Sequence, residues 1–254
     1  VRHEYFFRLL RDPATNEIPF NIRSRELEFA SRLNMNNGLS KTTESLFTFF
    51  EVGPNDVGGR TRAFGIDKGD PNTLIAGGVS GGIWKSTDGG DTWILKSLPT
   101  QHLSVSWLTQ DPREGHTDTW YYATGEFDGN SASDQGYKAT YRGSGLYKST
   151  DNGETWQQIQ TSGNPASWDS QYDYVSRIVV HQTTGYVYIA SNVGGIYRSM
   201  DGGSSFDLVL GGWGDHYYSD IIITGSGHLV ASLSQYPGTP SPDNAPGLYY
   251  SDDN

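Results

Sequence analysis

Arginines, carboxylates and aromatic rings gather at four places in this chain, and each grouping could do chemistry on a polar ligand. Arg60 and Arg62 follow a glycine pair, and Glu126 and Asp128 open a polar stretch that runs through Asn130 to Asp134. Trp168, Asp169, Tyr172, Asp173, Tyr174 and Arg177 form a third group, and Trp213, Asp215, His216, Tyr217 and Asp220 a fourth. Flat rings stack on sugar faces while flanking carboxylates and guanidinium groups bond to hydroxyls, which is what a glycan site needs. Asp128, Asn130 and Asp134 could also wrap a calcium ion with hard oxygen ligands. Glycine follows Asp128 directly and no glutamate closes the stretch, so the EF-hand pattern fails. The expectation is therefore no cofactor, with calcium as the single candidate.

Other chemistries find less support. Gly78-Val79-Ser80-Gly81-Gly82 fits G-x-S-x-G, but a nucleophile elbow needs a strand, a strained turn and then a helix. The next residues are Ile83-Trp84-Lys85-Ser86, which read as a strand. The six histidines are dispersed singly, and no H-E-x-x-H pair or phosphate loop occurs. Cysteine is absent, which removes disulfides, thiolate metal sites and thiol nucleophiles.

The elements that must position these groups are announced by a repeated phrase. Gly82-Ile83-Trp84-Lys85-Ser86-Thr87-Asp88-Gly89-Gly90-Asp91-Thr92-Trp93 returns from Gly145 to Trp156 and from Gly195 to Phe206. A fourth copy starts at Gly247 and runs through Ser251 and Asp253 to Asn254. The serines at 86, 149, 199 and 251 are 63, 50 and 52 residues apart, the length of a four-stranded propeller blade. Each copy reads as a strand, a tight polar turn and a second strand opened by an aromatic. Ser86, Ser149 and Ser199 and Asp88, Asp151 and Asp201 brace the turn, and Gly90, Gly153 and Gly203 supply a backbone with φ above zero. Trp93, Trp156 and Phe206 then bury a ring between blades, about 2 to 3 kcal/mol each.

This S-x-D-x-G-x-[ST]-[WF] phrase resembles the Asp-box, or BNR repeat, of sialidases, xyloglucanases, sortilin-like receptors and secreted bacterial propellers. The resemblance implies that the box lies on the outer rim, so its aspartates, Asp253 included, are structural. Gly53-Pro54, Gly58 to Ala63, Ile66-Asp67 and Asp70 to Gly78 look like the sortilin-like, VPS10-type subgroup common among proteins exported by type IX-secreting bacteria. Together the likeness covers about residues 45 to 254. The sialidase Arg-Ile-Pro signature is missing. The xyloglucanase pattern resembled here carries Asp-x-Gly-Gly in its first blade as one of two catalytic carboxylates; in this chain Val79 stands at that position.

The formal net charge is −11 with acidic residues scattered, which argues against binding a phosphate backbone. No apolar run approaches the ~18 residues of a membrane span. Residues 1–44 form an N-terminal extension and linker, with helix-like apolar spacing from Glu4 to Leu10 and from Arg23 to Leu33. Residues 45–254 form a propeller with blades near 45–98, 101–160, 173–210 and 216–254. The expected architecture is all-β, a β-propeller of about four visible blades, part of a longer polypeptide that supplies the rest. The expected role is a secreted or cell-surface bacterial module that recognises an extracellular polysaccharide or protein. The alternatives are a glycoside hydrolase with catalytic acids partly in other blades, and a structural module of a large adhesin. Inner strands line a propeller channel, so Arg60, Arg62, His102, Asp173, Tyr174, Arg177, His216, Tyr217 and Asp220 are the candidates for its mouth.

Overall fold

A computed structural model of the chain describes residues 59–126, 141–164, 167, 169–192, 194–212, 217–234 and 246–252, together with residues 7, 11–12, 15–18 and 25. The chain divides into two compact units, Val1–Glu51 and Val52–Asn254. In the first, Phe7 and Arg25 have helical backbone, and the Arg11 N–H donates to the Phe7 carbonyl at 2.9 Å, the i to i−4 spacing of an α-turn. Most of the two stretches expected to be helical lies outside the described residues.

The second unit is a β-propeller fold whose described strands form four antiparallel sheets. Strands β1 (Thr61–Ile66), β2 (Leu74–Gly78), β3 (Gly82–Ser86) and β4 (Ile94–Leu95) make the first blade. The second contains β5 (Val105–Gln110), β6 (Trp120–Thr124), β7 (Gly145–Ser149) and β8 (Gln157–Thr161). The third contains β9 (Val175–Val180), β10 (Val187–Ser191), β11 (Gly195–Ser199) and β12 (Asp207–Leu210). The fourth contains β13 (Tyr217–Ile223), β14 (Leu229–Ser234) and β15 (Gly247–Ser251). Each strand pairs with its neighbour in sequence, the meander of a propeller blade.

Burial follows from each sheet having two faces to cover. Strand β6 is buried at all five positions: Trp120 and Tyr122 join Ile75, Ile83 and Val105 between blades 1 and 2, while Tyr121 and Ala123 join Val175, Ile178 and Ile189 between blades 2 and 3. Period-two alternation thus sends one strand into two cores, so middle strands are apolar throughout instead of alternating with polar residues. A third core joins Tyr188, Ile196, Ile221 and Leu233 between blades 3 and 4. Strands β4, β8 and β12 are mostly exposed. Blades 1 and 2 approach so closely that a Cβ on Gly77 would sit 2.5 Å from Val105 Cγ1.

The repeated turn is braced in the same way three times. Ser86 Oγ donates to Asp88 Oδ1 at 2.7 Å and accepts from the Gly90 N–H at 2.9 Å, while the Thr92 N–H donates to Asp88 Oδ1 at 2.9 Å. Ser149, Asp151, Gly153 and Thr155 repeat this, as do Ser199, Asp201, Gly203 and Ser205. Gly90, Gly153 and Gly203 have φ of 104°, 81° and 97°. Trp156 is buried against blade 1, edge-on to Tyr122 at 4.9 Å, and Phe206 packs edge-on to Tyr172 at 6.0 Å. Trp93 and Phe206 are only partly buried, so of the three rings expected between blades Trp156 alone is fully enclosed; Trp93 Nε1 donates to the Gly90 carbonyl. In the fourth copy Asp253 lies outside the described residues.

A lysine ties the turns of blades 2 and 3 to the blade before each. Lys85 Nζ of blade 1 donates to the Asn152 carbonyl of blade 2 at 2.7 Å and pairs with Glu154 at 2.8 Å. Lys148 of blade 2 donates to the Gly202 carbonyl of blade 3 at 3.1 Å. Asn152 and Gly202 hold the same place in the phrase, so the two contacts are one device used twice.

Candidate functional site

The first strand of every blade carries a bulge near its start. Pairing slips between Thr61 and Ala63, between Val105 and Trp107, between Val175 and Arg177 opposite β10, and between Tyr217 and Asp220. A bulge re-aims the side chain of its extra residue. In blades 2 and 3 that residue is a serine that stitches to the next blade: Ser106 Oγ donates to the Val175 carbonyl and Ser176 Oγ to the Ser219 carbonyl, each at 2.6 Å. In the fourth bulge Tyr218 adopts φ of 58°, and its N–H donates to Asn192 Oδ1 at 2.7 Å.

Blade 1 breaks the pattern by placing Arg62 at the bulge. Its Nη1 donates to Glu126 Oε1 at 2.9 Å and its Nη2 to the Tyr174 hydroxyl at 3.0 Å, so one side chain joins three blades. Arg60 Nη2 reaches the same Glu126 oxygen at 2.6 Å. Glu126 is fully buried, held by paired backbone bonds of 2.6 and 2.7 Å with Tyr141, and its Oε2 is buried without a hydrogen-bond partner among the described residues.

Asp173 of blade 3 lies alongside. Its carbonyl accepts from the Gly143 N–H at 2.6 Å, and a Cβ on Gly125, whose φ is 103°, would stand 2.8 Å from that carbonyl. Its Oδ2 accepts from the N–H groups of Asp169 and Ser170 at 2.8 and 2.7 Å, and Oδ1 lies 3.7 Å from Arg142 Nε. Burial pushes the Asp173 carboxyl up, against those hydrogen bonds and Arg142. Burial pushes the His102 imidazole down; its Nδ1 accepts from the Ser104 N–H at 3.3 Å. Val79 is buried on the same rim, its N–H donating to the Arg60 carbonyl at 2.9 Å.

The structure thus gathers Arg60, Arg62, Glu126, Asp173 and Tyr174 at the inner ends of blades 1 to 3. Arg177 and Asp220 form a separate bidentate pair, with Nη2 2.9 Å from Oδ2 and Nε on Oδ1, and the Arg177 guanidinium lies 3.9 Å above the Trp107 ring. Asp128, Asn130, Asp134, Trp213 and His216 lie outside the described residues, as does the side chain of Tyr217. Among the described residues no three His, Asp or Glu side chains are grouped to hold a metal ion. Two participants escaped the sequence reading, Arg142 and Trp107. The usable signal was the inner-strand alignment Arg62, Ser106, Ser176, Ser219, in which one arginine replaces a serine.

Chemically, the cluster offers a half-exposed guanidinium face backed by a buried carboxylate, a tyrosine hydroxyl and a second buried carboxyl that holds its proton more readily than an exposed aspartate. Such groups bind oxygen-rich or anionic ligands, and an acid with a raised pKa suits proton donation.

No family profile matches the chain. It is 29% identical over 178 residues to the xyloglucanase Xgh74A of Acetivibrio thermocellus, covering 57% of this chain and 19% of that protein. It is 28% identical over 156 residues to a xyloglucanase of a Paenibacillus species, covering 52% and 13%. The chain therefore spans a fifth or less of the length of these curated relatives. Among solved structures, an ancestral GH74 enzyme superposes with a TM-score of 0.55 at 23% identity, over 69% of this chain and 22% of that one. The GH74 enzyme of Niastella koreensis gives 0.51 at 21% identity, over 75% and 28%. The structural likeness carries the fold alone, and the curated relatives are named as xyloglucanases.

Proposed function

We propose that this chain is part of a glycoside hydrolase-type β-propeller, secreted or held at a bacterial surface, that engages an extracellular polysaccharide at the inner ends of blades 1 to 3. The observation that carries the reading is the convergence of Arg60, Arg62, Tyr174 and the buried Glu126 from three blades. The likeness to xyloglucanases supports the polysaccharide class, and favours a hydrolase origin over the leading expectation of recognition alone. The sortilin-like likeness and a type IX export route rest only on the residues that suggested them. In a hydrolase, Asp173 is the candidate acid and Glu126 the candidate second carboxylate.

A second reading, recognition without bond cleavage, is favoured by Val79, a buried apolar side chain where the resembled pattern has its aspartate. Both readings are tested by migration of the full chain in native gels containing xyloglucan or mixed-linkage β-glucan, alongside an assay of released reducing ends. Retarded migration that R62Q abolishes is expected. Release that falls at least a hundredfold in D173N makes the protein a hydrolase; retardation without release makes it a binder. Unretarded migration with no release overturns the proposal.

A further inference from the structure

We propose that Tyr218 is a sugar-stacking residue, its ring packing on a pyranose face of the polysaccharide and extending the binding rim onto blade 4. This rests on the preceding reading, that the inner ends of blades 1 to 3 engage a glycan, and adds a fourth blade and the kind of sugar face recognised.

Backbone conformation is the first observation. Three non-glycine residues among those described have φ above zero: two are asparagines, Asn16 and Asn152, and the third is Tyr218 at 58°. Asparagine visits the left-handed region because its short amide can hydrogen-bond locally, whereas a tyrosine there brings its Cβ against the following carbonyl with no such return. Tyr218 opens a bulge in which it and Ser219 stand opposite Leu233 alone, and the left-handed first residue of a bulge is ordinarily glycine. A place suited to the smallest side chain holds one of the largest, and such strain is kept for what the ring does.

Exposure is the second. Tyr218 belongs to none of the three apolar cores and is 47% exposed, while Ser219 beside it is buried and its carbonyl accepts from Ser176 Oγ. The stitch between blades 3 and 4 is therefore made by the Ser219 backbone and not by the Tyr218 ring.

Placement is the third. The Tyr218 N–H donates to Asn192 Oδ1 at 2.7 Å, and the Asn192 N–H donates to the Tyr174 carbonyl at 3.1 Å. Asn192 is buried, so a fixed residue joins Tyr218 to Tyr174, whose hydroxyl accepts from Arg62. An exposed ring on a pinned backbone, next along the rim from guanidinium groups that bond to hydroxyls, is a stacking platform with little freedom to lose on binding. A flat ring matches a pyranose whose hydroxyls are equatorial and whose faces carry C–H groups, as in the backbone of a β-linked glucan.

The test is calorimetric titration of the full chain with cellohexaose and with a xyloglucan oligosaccharide, in the wild type, Y218F and Y218N, with thermal melts of each. Y218N is expected to weaken binding about tenfold, while its melting temperature stays level or rises because asparagine suits the left-handed backbone. Y218F keeps the ring and should bind as the wild type does. Wild-type affinity in Y218N overturns the proposal, and so does a loss in Y218F as large as that in Y218N, since the hydroxyl would then be the binding group. A lowered melting temperature in Y218N overturns it too, because the ring would then serve the fold. If R62Q abolishes binding and Y218N leaves it intact, the preceding reading stands and the stacking role falls. If the wild type binds neither glycan, both fall.

Discussion

Asp88, Asp151 and Asp201 each accept two hydroxyls and a backbone N–H, and that pattern dictates how they titrate. The Thr92 hydroxyl, the Thr92 N–H and the Ser86 hydroxyl hold Asp88 down to about 2. The Ser205 hydroxyl, the Ser205 N–H and Ser199 lower Asp201 likewise. Burial raises Asp151, but the Thr155 and Ser149 hydroxyls and the Thr155 N–H outweigh it. The ordinary aspartate value is ~3.9, so below it the unfolded chain takes up protons that the folded turns refuse. The stability these turns contribute is complete above about pH 4 and is lost as pH falls toward about 2. Urea midpoints measured across that range should fall in the wild type and fall less steeply in D88N/D151N/D201N; an equal slope would contradict the assignment. Asp173 works with the opposite sign, since its folded value is raised: it withdraws stability as pH rises through that value. At this scale the turn serines, aspartates and glycines were legible because turn chemistry is local. The fate of Asp173 was not, because the N–H groups that occupy its Oδ2 belong to backbone, which any sequence supplies.

Strands and turns are held to neighbouring blades by contacts that repeat with the phrase. Lys148 donates to the Gly202 carbonyl and lies 5.3 Å from the centre of the Tyr121 ring, whose hydroxyl also donates to Gly202 at 3.2 Å. K148M removes one charge-assisted bond while keeping the apolar stem, and should lower stability by about 1 to 2 kcal/mol in urea unfolding. K85M should add to it with little coupling, because different blade pairs are involved; a non-additive result would mean that the two contacts do not act separately. The hairpins at the phrase were readable, and so was the order of blades. Strands β4, β8 and β12 were harder to place: β4 spans two residues and β8 reads Gln157-Gln158-Ile159-Gln160-Thr161, with no apolar face to mark it. The lysine contacts left no trace, since a carbonyl acceptor constrains no side chain. The arginine cluster showed only as one departure from a row of serines.

Over the whole blade stack, burial grades outward along each sheet, from middle strands buried on both faces to mostly exposed fourth strands. Amide hydrogen exchange should track that gradient, slowest in β6 and β10 and fastest in β8 and β12, because local opening depends on the apolar contacts that must be broken. Uniform protection across a blade would instead mean that each sheet opens as one unit. The sequence conveyed this scale well, because a phrase recurring at blade length leaves few other folds. The lysine contacts also have a direction: each reaches toward the next blade in the chain. Lys85 finds its acceptor 67 residues later, at Asn152. On a ribosome adding ~5 to 20 residues per second, that carbonyl is made roughly 3 to 13 s after the lysine. A newborn first blade waits with its amine in water until the second turn closes over it, so the order of synthesis is also the order in which the blades can lock.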